Sequence, residues 1–228
     1  MAGNRRYELI DGAAYLMAPV PTLEHQDVVG EIYFQIRQAL EGKSCRAFVA
    51  PVDVRLPKAD EADDQVDTVL QPDVLVVCDP SRLDRRGVRG APDLVVEVLS
   101  SSTASHDHVW KRRVYERSGV REYWLVRPID RMITVYRLRD GEYGKPEVLE
   151  LLGETAVGVL PGVSVSWDEL VHRLPKAEYW AAGRHFGPER GLKCVPAWLP
   201  QAAAGRVLPA LVRHPQRWRL GGLGILLP

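Results

Sequence analysis

Two short runs, QPDVLVV at 71–77 and APDLVVEVLS at 91–100, each carry Pro-Asp and then continue as nearly unbroken Val and Leu. Apolar residues at consecutive rather than alternate positions mark strands buried on both faces. Such strands lie at the centre of a sheet covered by other layers, so this pair restricts the chain to an α/β arrangement. Glu97 interrupts the second run. A carboxylate there costs on the order of several kcal/mol of desolvation unless it is paired, protonated or bound to a metal. Residues two apart share a strand face, which groups Glu97 with Val95 and Leu99 and leaves Asp93 at the strand entry. If the two runs pair, Asp73 and Glu97 come together. Two acids repel, and a cation between them relieves the repulsion; Mg2+, a hard ion that takes oxygen ligands, suits that place. Asp93 reads as a turn cap.

Around these runs the pattern is mixed. Residues 7–18 predict a hairpin turning at Asp11-Gly12. Thr22 precedes a helix to about Leu40, with Val29, Ile32, Ile36 and Leu40 on its buried face. Residues 46–56 alternate like one strand, and the acidic KADEADDQVD reads as a solvated loop. The polar, Gly-containing SRLDRRGVRGA separates the two apolar runs. A second helix covers about 104–118 and stops at Gly119, followed by a strand at 122–126. A hairpin about Asp140-Gly141 comes next, then further strand and a short helix near 168–172. This order predicts a central mixed sheet flanked by helices over 1–175. Residues 176–228, rich in Pro and Gly without a sustained period, read as a poorly structured, basic C-terminal extension.

Charge narrows the function classes. Lys and Arg number 30 and so do Asp and Glu, but the division is uneven: 22 basic against 28 acidic residues in 1–175, and eight against two in 176–228. An acidic body argues against tight, sequence-independent nucleic-acid binding through phosphate neutralisation alone. Cys45, Cys78 and Cys194 are isolated in sequence, so neither a zinc knuckle nor a disulfide framework is indicated, and a reducing interior is expected. No leader-like apolar segment or run of about 18 apolar residues is present, which predicts a cytoplasmic, non-membrane protein.

The second helix holds the decisive anomaly. At 100° per residue, Arg112, Arg113, Glu116 and Arg117 fall on one side and Trp110, Val114, Tyr115 and Ser118 on the other. Lys111 falls in the middle of the second, core-facing arc. Either its stem snorkels to an edge or its ammonium meets carboxylates, and Glu97 is one short connection away. His25 raises a similar question on the first helix, centred between Val28, Val29 and Ile32. An Asp and a Glu holding a divalent cation beside a lysine can hydrolyse phosphodiesters. The cation polarises the phosphate and lowers the pKa of its bound water; the lysine stabilises developing charge on the phosphate. Backbone carbonyls can complete the metal shell, with Val98 the candidate by adjacency.

QPDVLVV, GAPDLVVEVLSSST and DHVWKRRVYERSGVREYW together resemble the Uma-two (Uma2) family of restriction-endonuclease-like proteins, within the PD-(D/E)XK nuclease superfamily. The resemblance runs from YELIDG at Tyr7 to LPGVSV near Val165. It implies a restriction-endonuclease-like fold, a metal at the sheet edge, and DNA cleavage with Mg2+, for which Mn2+ can substitute. Asp73 matches the first acid of the pattern and Glu97 the second. The lysine normally two residues later is absent, since position 99 is Leu, and Lys111 takes its part from the following helix. His25, in LEHQ, matches a histidine of the family's first helix, in a supporting role. Arg127 replaces an Asp before Pro128, which reads as a structural turn.

Other signals point less far. KADEADDQVD lacks EF-hand spacing, and His106-Asp107-His108 has no partner at zinc spacing. Asp107 stands four residues before Lys111, a natural helix ion pair, and Asp53 is left open. The Arg and Trp of the extension could contact nucleic acid. Cutting both strands of DNA usually takes two active sites, so a homodimer is expected. Two other readings remain: a catalytically silent nuclease-fold module that binds nucleic acid or a protein, and a buried ion-pair network without a ligand.

Overall fold

The computed structural model describes residues 6–17, 21–99 and 107–174. The extension from 176, His106 and Cys194 lie outside the described residues, as do the side chains of Asp107 and His108.

In chain order the elements are β1 (Tyr7–Ile10), β2 (Ala13–Leu16), α1 (Leu23–Ala39), β3 (Arg46–Val49), β4 (Val54–Arg55), β5 (Val69–Leu70), β6 (Val74–Val77), β7 (Leu83–Asp84), β8 (Gly87–Arg89) and β9 (Leu94–Val98). There follow α2 (Asp107–Ser118), β10 (Glu122–Arg127), β11 (Met132–Arg139), β12 (Glu142–Tyr143), β13 (Glu147–Glu150), β14 (Glu154–Ala156), β15 (Ser164–Ser166) and α3 (Asp168–Arg173).

The central sheet runs β12-β11-β10-β9-β6-β3, with β13 also on β11. Within it β9 and β10 are parallel and the neighbouring pairs antiparallel, which makes the sheet mixed. A parallel pair needs a crossover, and α2 lies in the connection from β9 to β10. A second sheet runs β2-β1-β5-β4-β8-β7. One face of the central strands, through Val74, Val76, Leu94, Val96 and Val98, packs with Val28, Val29, Ile32 and Ile36 of α1. The other, through Leu75, Val77 and Val95, packs with Val114 and Tyr115 of α2 and with Ile10, Val54, Leu70 and Val88 of the second sheet. Burial on both faces explains the unbroken Val and Leu runs, each such side chain contributing about 1.5–3 kcal/mol relative to exposure.

The start of α1 and the end of α2 are capped. Thr22 is the N-cap of α1, its hydroxyl accepting from His25 N–H at 3.3 Å. At the end of α2, Gly119 has φ +86°, and Val120 N–H donates to the Tyr115 carbonyl at 3.0 Å, closing a Schellman turn.

Several expectations are corrected. Residues 46–56 are two strands, β3 and β4, in different sheets; Pro51 cannot donate to a ladder and stands where the chain leaves one sheet for the other. SRLDRRGVRGA contains the β7–β8 hairpin. The acidic loop is anchored: Asp63 pairs with the buried Arg55 and with Arg86 and Arg89, while Lys58 holds Asp67 at 2.7 Å and Asp11 at 3.0 Å. Trp110, placed on the core arc, is 45% exposed, its ring 5.7 Å from the Arg113 guanidinium. Cys45 and Cys78 form a disulfide. They stand one step beyond the Arg46–Val77 pair of β3 and β6, a proximity that a spacing of 33 residues does not reveal.

Candidate active site

Antiparallel register fixes the first relationship. Val74 pairs with Val96, so one step further Asp73 stands across from Glu97, both side chains on the face of the sheet turned toward α2. Asp73 Oδ2 accepts from Val98 N–H at 2.8 Å and lies 3.2 Å from His25 Nε2. His25 comes from the first turn of α1, on the opposite face, and meets Asp73 at the end of the strands. Burial works against a charged imidazole here. The hydrogen bond and charge of Asp73, the Val98 backbone and the charge of Glu97 outweigh it, and hold His25 above its ordinary 6.5.

Glu97 is 6% exposed and Lys111 5%. Lys111 Nζ lies 3.2 Å from Glu97 Oε1, and Tyr115 OH donates to the same oxygen at 2.8 Å. Burial raises the Glu97 carboxyl, Lys111 opposes that, and Asp73 and Glu8 add to it; the result is about 8. The Tyr115 hydroxyl, buried beside Glu97, is held well above its usual 10.

Two members of this cluster carried no role in the sequence reading. Glu8, 5% exposed on β1, places both carboxylate oxygens 3.0 Å from Lys111 Nζ, and its Oε1 also accepts from Gln71 N–H at 2.9 Å. The available signal was the period-2 alternation of YELI, which puts Glu8 on the same inward face as Ile10. Tyr115 sits four residues after Lys111 on the same helix face and closes the cluster from that side.

Asp73, Glu97, Lys111, His25 and the Val98 backbone are thus brought to one end of β6 and β9. Asp93 is not among them: its oxygens accept from Cys78 N–H at 2.7 Å and from Arg121 Nη1 at 3.1 Å, a structural cap. Asp53 takes the Gln71 amide at 2.6 Å. Arg127 is the last residue of β10, 3.9 Å from Asp130 in the turn that follows.

Three carboxyl groups face one ammonium and one imidazole, so ionisation of Glu97 leaves a negative charge to be balanced. Among the described residues no three His, Cys, Asp or Glu side chains gather as a metal cluster of their own. A magnesium ion does not need one, since it is usually held by one or two carboxylates and keeps several waters. The donor set of Asp73, Glu97 and the Val98 carbonyl is all oxygen and fits a hard divalent cation.

Comparison with known proteins bears on the fold and the family. A crystal structure from Anabaena variabilis, described as a putative nuclease belonging to DUF820, superimposes with a TM-score of 0.58 at 21% identity. The match covers 73% of this chain and 89% of that one, and it shows the restriction-endonuclease-like fold. No curated protein sequence matches. No described helix is long and apolar enough to cross a membrane. A family model described as "Putative restriction endonuclease" matches residues 2–168, and the chain belongs to that family, Uma2.

Proposed function

We propose that the protein is a Mg2+-dependent endonuclease that hydrolyses phosphodiester bonds of DNA, with Asp73 and Glu97 as metal ligands together with the Val98 carbonyl. The observation that carries this reading is the meeting of Lys111 and Glu97 at 3.2 Å, directly across the sheet from Asp73. A bound cation supplies charge to the scissile phosphate and lowers the pKa of a bound water. Lys111 orients the attacking water and stabilises negative charge as it develops on the phosphoryl oxygens. Water adds to phosphorus, one P–O ester bond breaks, and a proton passes to the leaving oxygen. Glu8 fixes the position of Lys111, Tyr115 fixes Glu97, and His25 orients Asp73 through its Oδ2. Scission of both strands takes two such sites, so a homodimer belongs to the reading, and light scattering of the purified chain tests it.

Nicking of supercoiled plasmid in Mg2+ or Mn2+ tests the chemistry. Wild type is expected to cut, while Glu97→Ala and Lys111→Ala lose at least about 100-fold, the scale on which removing one transition-state donor acts. No cutting by wild type, or equal cutting by all three proteins, overturns the proposal. A second reading, a catalytically silent nucleic-acid or protein-binding module, is favoured by the closure of the Glu8–Lys111–Glu97–Tyr115 network on itself. It predicts DNA binding without cutting, and binding undisturbed by Lys111→Ala.

A further inference from the structure

Beside the carboxylates lies a cavity of about 710 Å³ that the chemistry above does not use. Its volume is in the range of small-molecule sites, about 300–1,000 Å³. One wall is β3, the edge of the central sheet, through Arg46 and Phe48. The opposite wall is the β7–β8 hairpin, through Leu83, Arg85 and Arg86; Val52 and Asp53 of the β3–β4 connection and Gln71 also line the space.

Register places this cavity next to the candidate active site. Arg46 pairs with Val77 and Phe48 with Leu75, and Ala50 N–H donates to the Asp73 carbonyl at 2.9 Å. Positions 46, 48, 73, 75 and 77 therefore share one face, the face that carries Glu97. With strands about 4.8 Å apart and residues about 3.4 Å apart along each, the Phe48 Cα falls roughly 8 Å from that of Asp73. Gln71 joins the two places physically. Its side-chain amide donates to Asp53 in the cavity wall at 2.6 Å, and its backbone N–H donates to Glu8, the partner of Lys111, at 2.9 Å.

The walls are held together. Val88 N–H donates to the Asp53 carbonyl at 2.8 Å, and a Cβ on Gly87, whose φ is +115°, would lie 2.3 Å from that same oxygen. Only glycine permits this approach of hairpin to connection. The charges in the cavity also sort themselves. Asp84 is taken by the buried Arg55 at 2.6 Å, and Arg86 is taken by Asp63. Among the described residues neither Arg46 nor Arg85 has an ion-pair partner, and the Arg46 guanidinium lies 4.9 Å over the Phe48 ring. What faces the space is the Arg85 guanidinium, the Arg46 guanidinium stacked on Phe48, an apolar margin of Val52 and Leu83, and the acceptor Asp53.

We propose that this cavity holds one unpaired nucleotide of the DNA strand. Its phosphate lies on Arg85 and the edge of the Arg46 guanidinium and its base against the Arg46–Phe48 stack, so that the adjoining phosphodiester is presented to Asp73, Glu97 and Lys111. Bidentate guanidinium contact suits a phosphate, and stacking on an aromatic or guanidinium plane is the usual way an unpaired base is held. In an acidic body this concentrated pair of cations supplies what overall charge cannot. The assignment rests on the nuclease reading for its last step only; the binding itself does not.

Binding is therefore measured on the full chain without divalent cation, by fluorescence anisotropy. The probes are a single-stranded DNA oligonucleotide, the same sequence as a blunt duplex, and the same sequence as RNA. Wild type is expected to prefer single-stranded DNA to duplex. Phe48→Leu is expected to weaken that binding about 5- to 100-fold, the scale of one stacked base. Arg46→Gln with Arg85→Gln is expected to weaken it about tenfold and to lower the salt slope by about 0.7 for each phosphate no longer neutralised. Arg139→Gln, an exposed arginine near the far edge of the sheet, is the charge control. Thermal melts show that each variant is folded, and the arginine pair, being exposed, decides the matter if Phe48→Leu unfolds. Pocket variants that bind like wild type, losses matched by Arg139→Gln, or a preference for duplex or RNA overturn the proposal. Pocket-dependent binding without plasmid cutting supports it, while overturning the nuclease reading alone.

Discussion

Lys111 Nζ lies 3.2 Å from Glu97 Oε1 and 3.0 Å from each oxygen of Glu8, so that α2 ties β9 to β1. The ammonium is buried with its two partners, and the cost of removing these groups from water is offset by contact among them. Tyr115 and the Gln71 backbone satisfy further lone pairs of the same carboxylates. That arrangement fixes the lysine head on the side of the sheet that carries Asp73.

Loss of the ammonium leaves the buried carboxyl groups of Glu8 and Glu97 without their cation. Lys111→Ala is therefore expected to lower the unfolding free energy by about 3–5 kcal/mol near pH 8, the usual cost of breaking a buried pair. The loss is smaller at pH 5.5, where folded Glu97, with its value of about 8, is already fully protonated. Urea titrations at the two pH values measure both numbers; an equal loss at each contradicts the assignment.

Stability of the metal-free chain is expected to fall as pH rises. Folded Glu97 keeps its proton up to about pH 8, against an ordinary 4.5, so across that window the folded state binds more protons than the unfolded one. His25 acts in the same sense: its folded value is raised above 6.5, so its contribution is complete below 6.5 and is lost as pH climbs through the folded value. Melting temperature followed from pH 5.5 to 8.5 should decline, and the decline should be shallower in Glu97→Gln. A rising profile in wild type runs against this.

Cation binding should couple to the same proton. Because a liganding carboxylate must be ionised, Mn2+ affinity is expected to increase with pH between 6 and 8, with net release of protons. Calorimetric titration in two buffers of different ionisation heat counts them. Binding that is independent of pH, or that takes protons up, would remove Glu97 from the ligand set.

Gly119→Ala and Gly87→Ala separate two kinds of backbone demand. At Gly119, with φ +86° and open space around a Cβ, the cost is conformational strain alone, about 1 kcal/mol. At Gly87 the added Cβ also strikes the Asp53 carbonyl, so the hairpin must move and the loss is expected to exceed that of Gly119→Ala by about 1 kcal/mol or more. Thermal unfolding ranks the two variants, and the reverse order contradicts the tight seam described for β7–β8.

Legibility in the sequence tracked how local each cause was. Burial on both faces leaves no polar alternation, so β6 and β9 declared themselves in their Val and Leu runs. Lys111 was visible as a charge on an apolar arc, and His25 by the same logic. Glu8 was not, because its partner lies 103 residues away, and the alternation of a four-residue strand gives the face of Glu8 but not what that face meets. The break between β3 and β4 was hidden because alternation continues through Ala50 and Pro51 while the chain changes sheets. Asp63 read as part of a solvated run because the buried Arg55 that holds it belongs to another sheet strand.

Crystals of the full chain soaked in Mn2+ and measured at the manganese edge give the most direct test. One anomalous peak bounded by the carboxylates of Asp73 and Glu97 and the Val98 carbonyl, absent from Glu97→Gln crystals, is the predicted result. Featureless density there, with Lys111 still bridging Glu8 and Glu97 in saturating Mn2+, would contradict it.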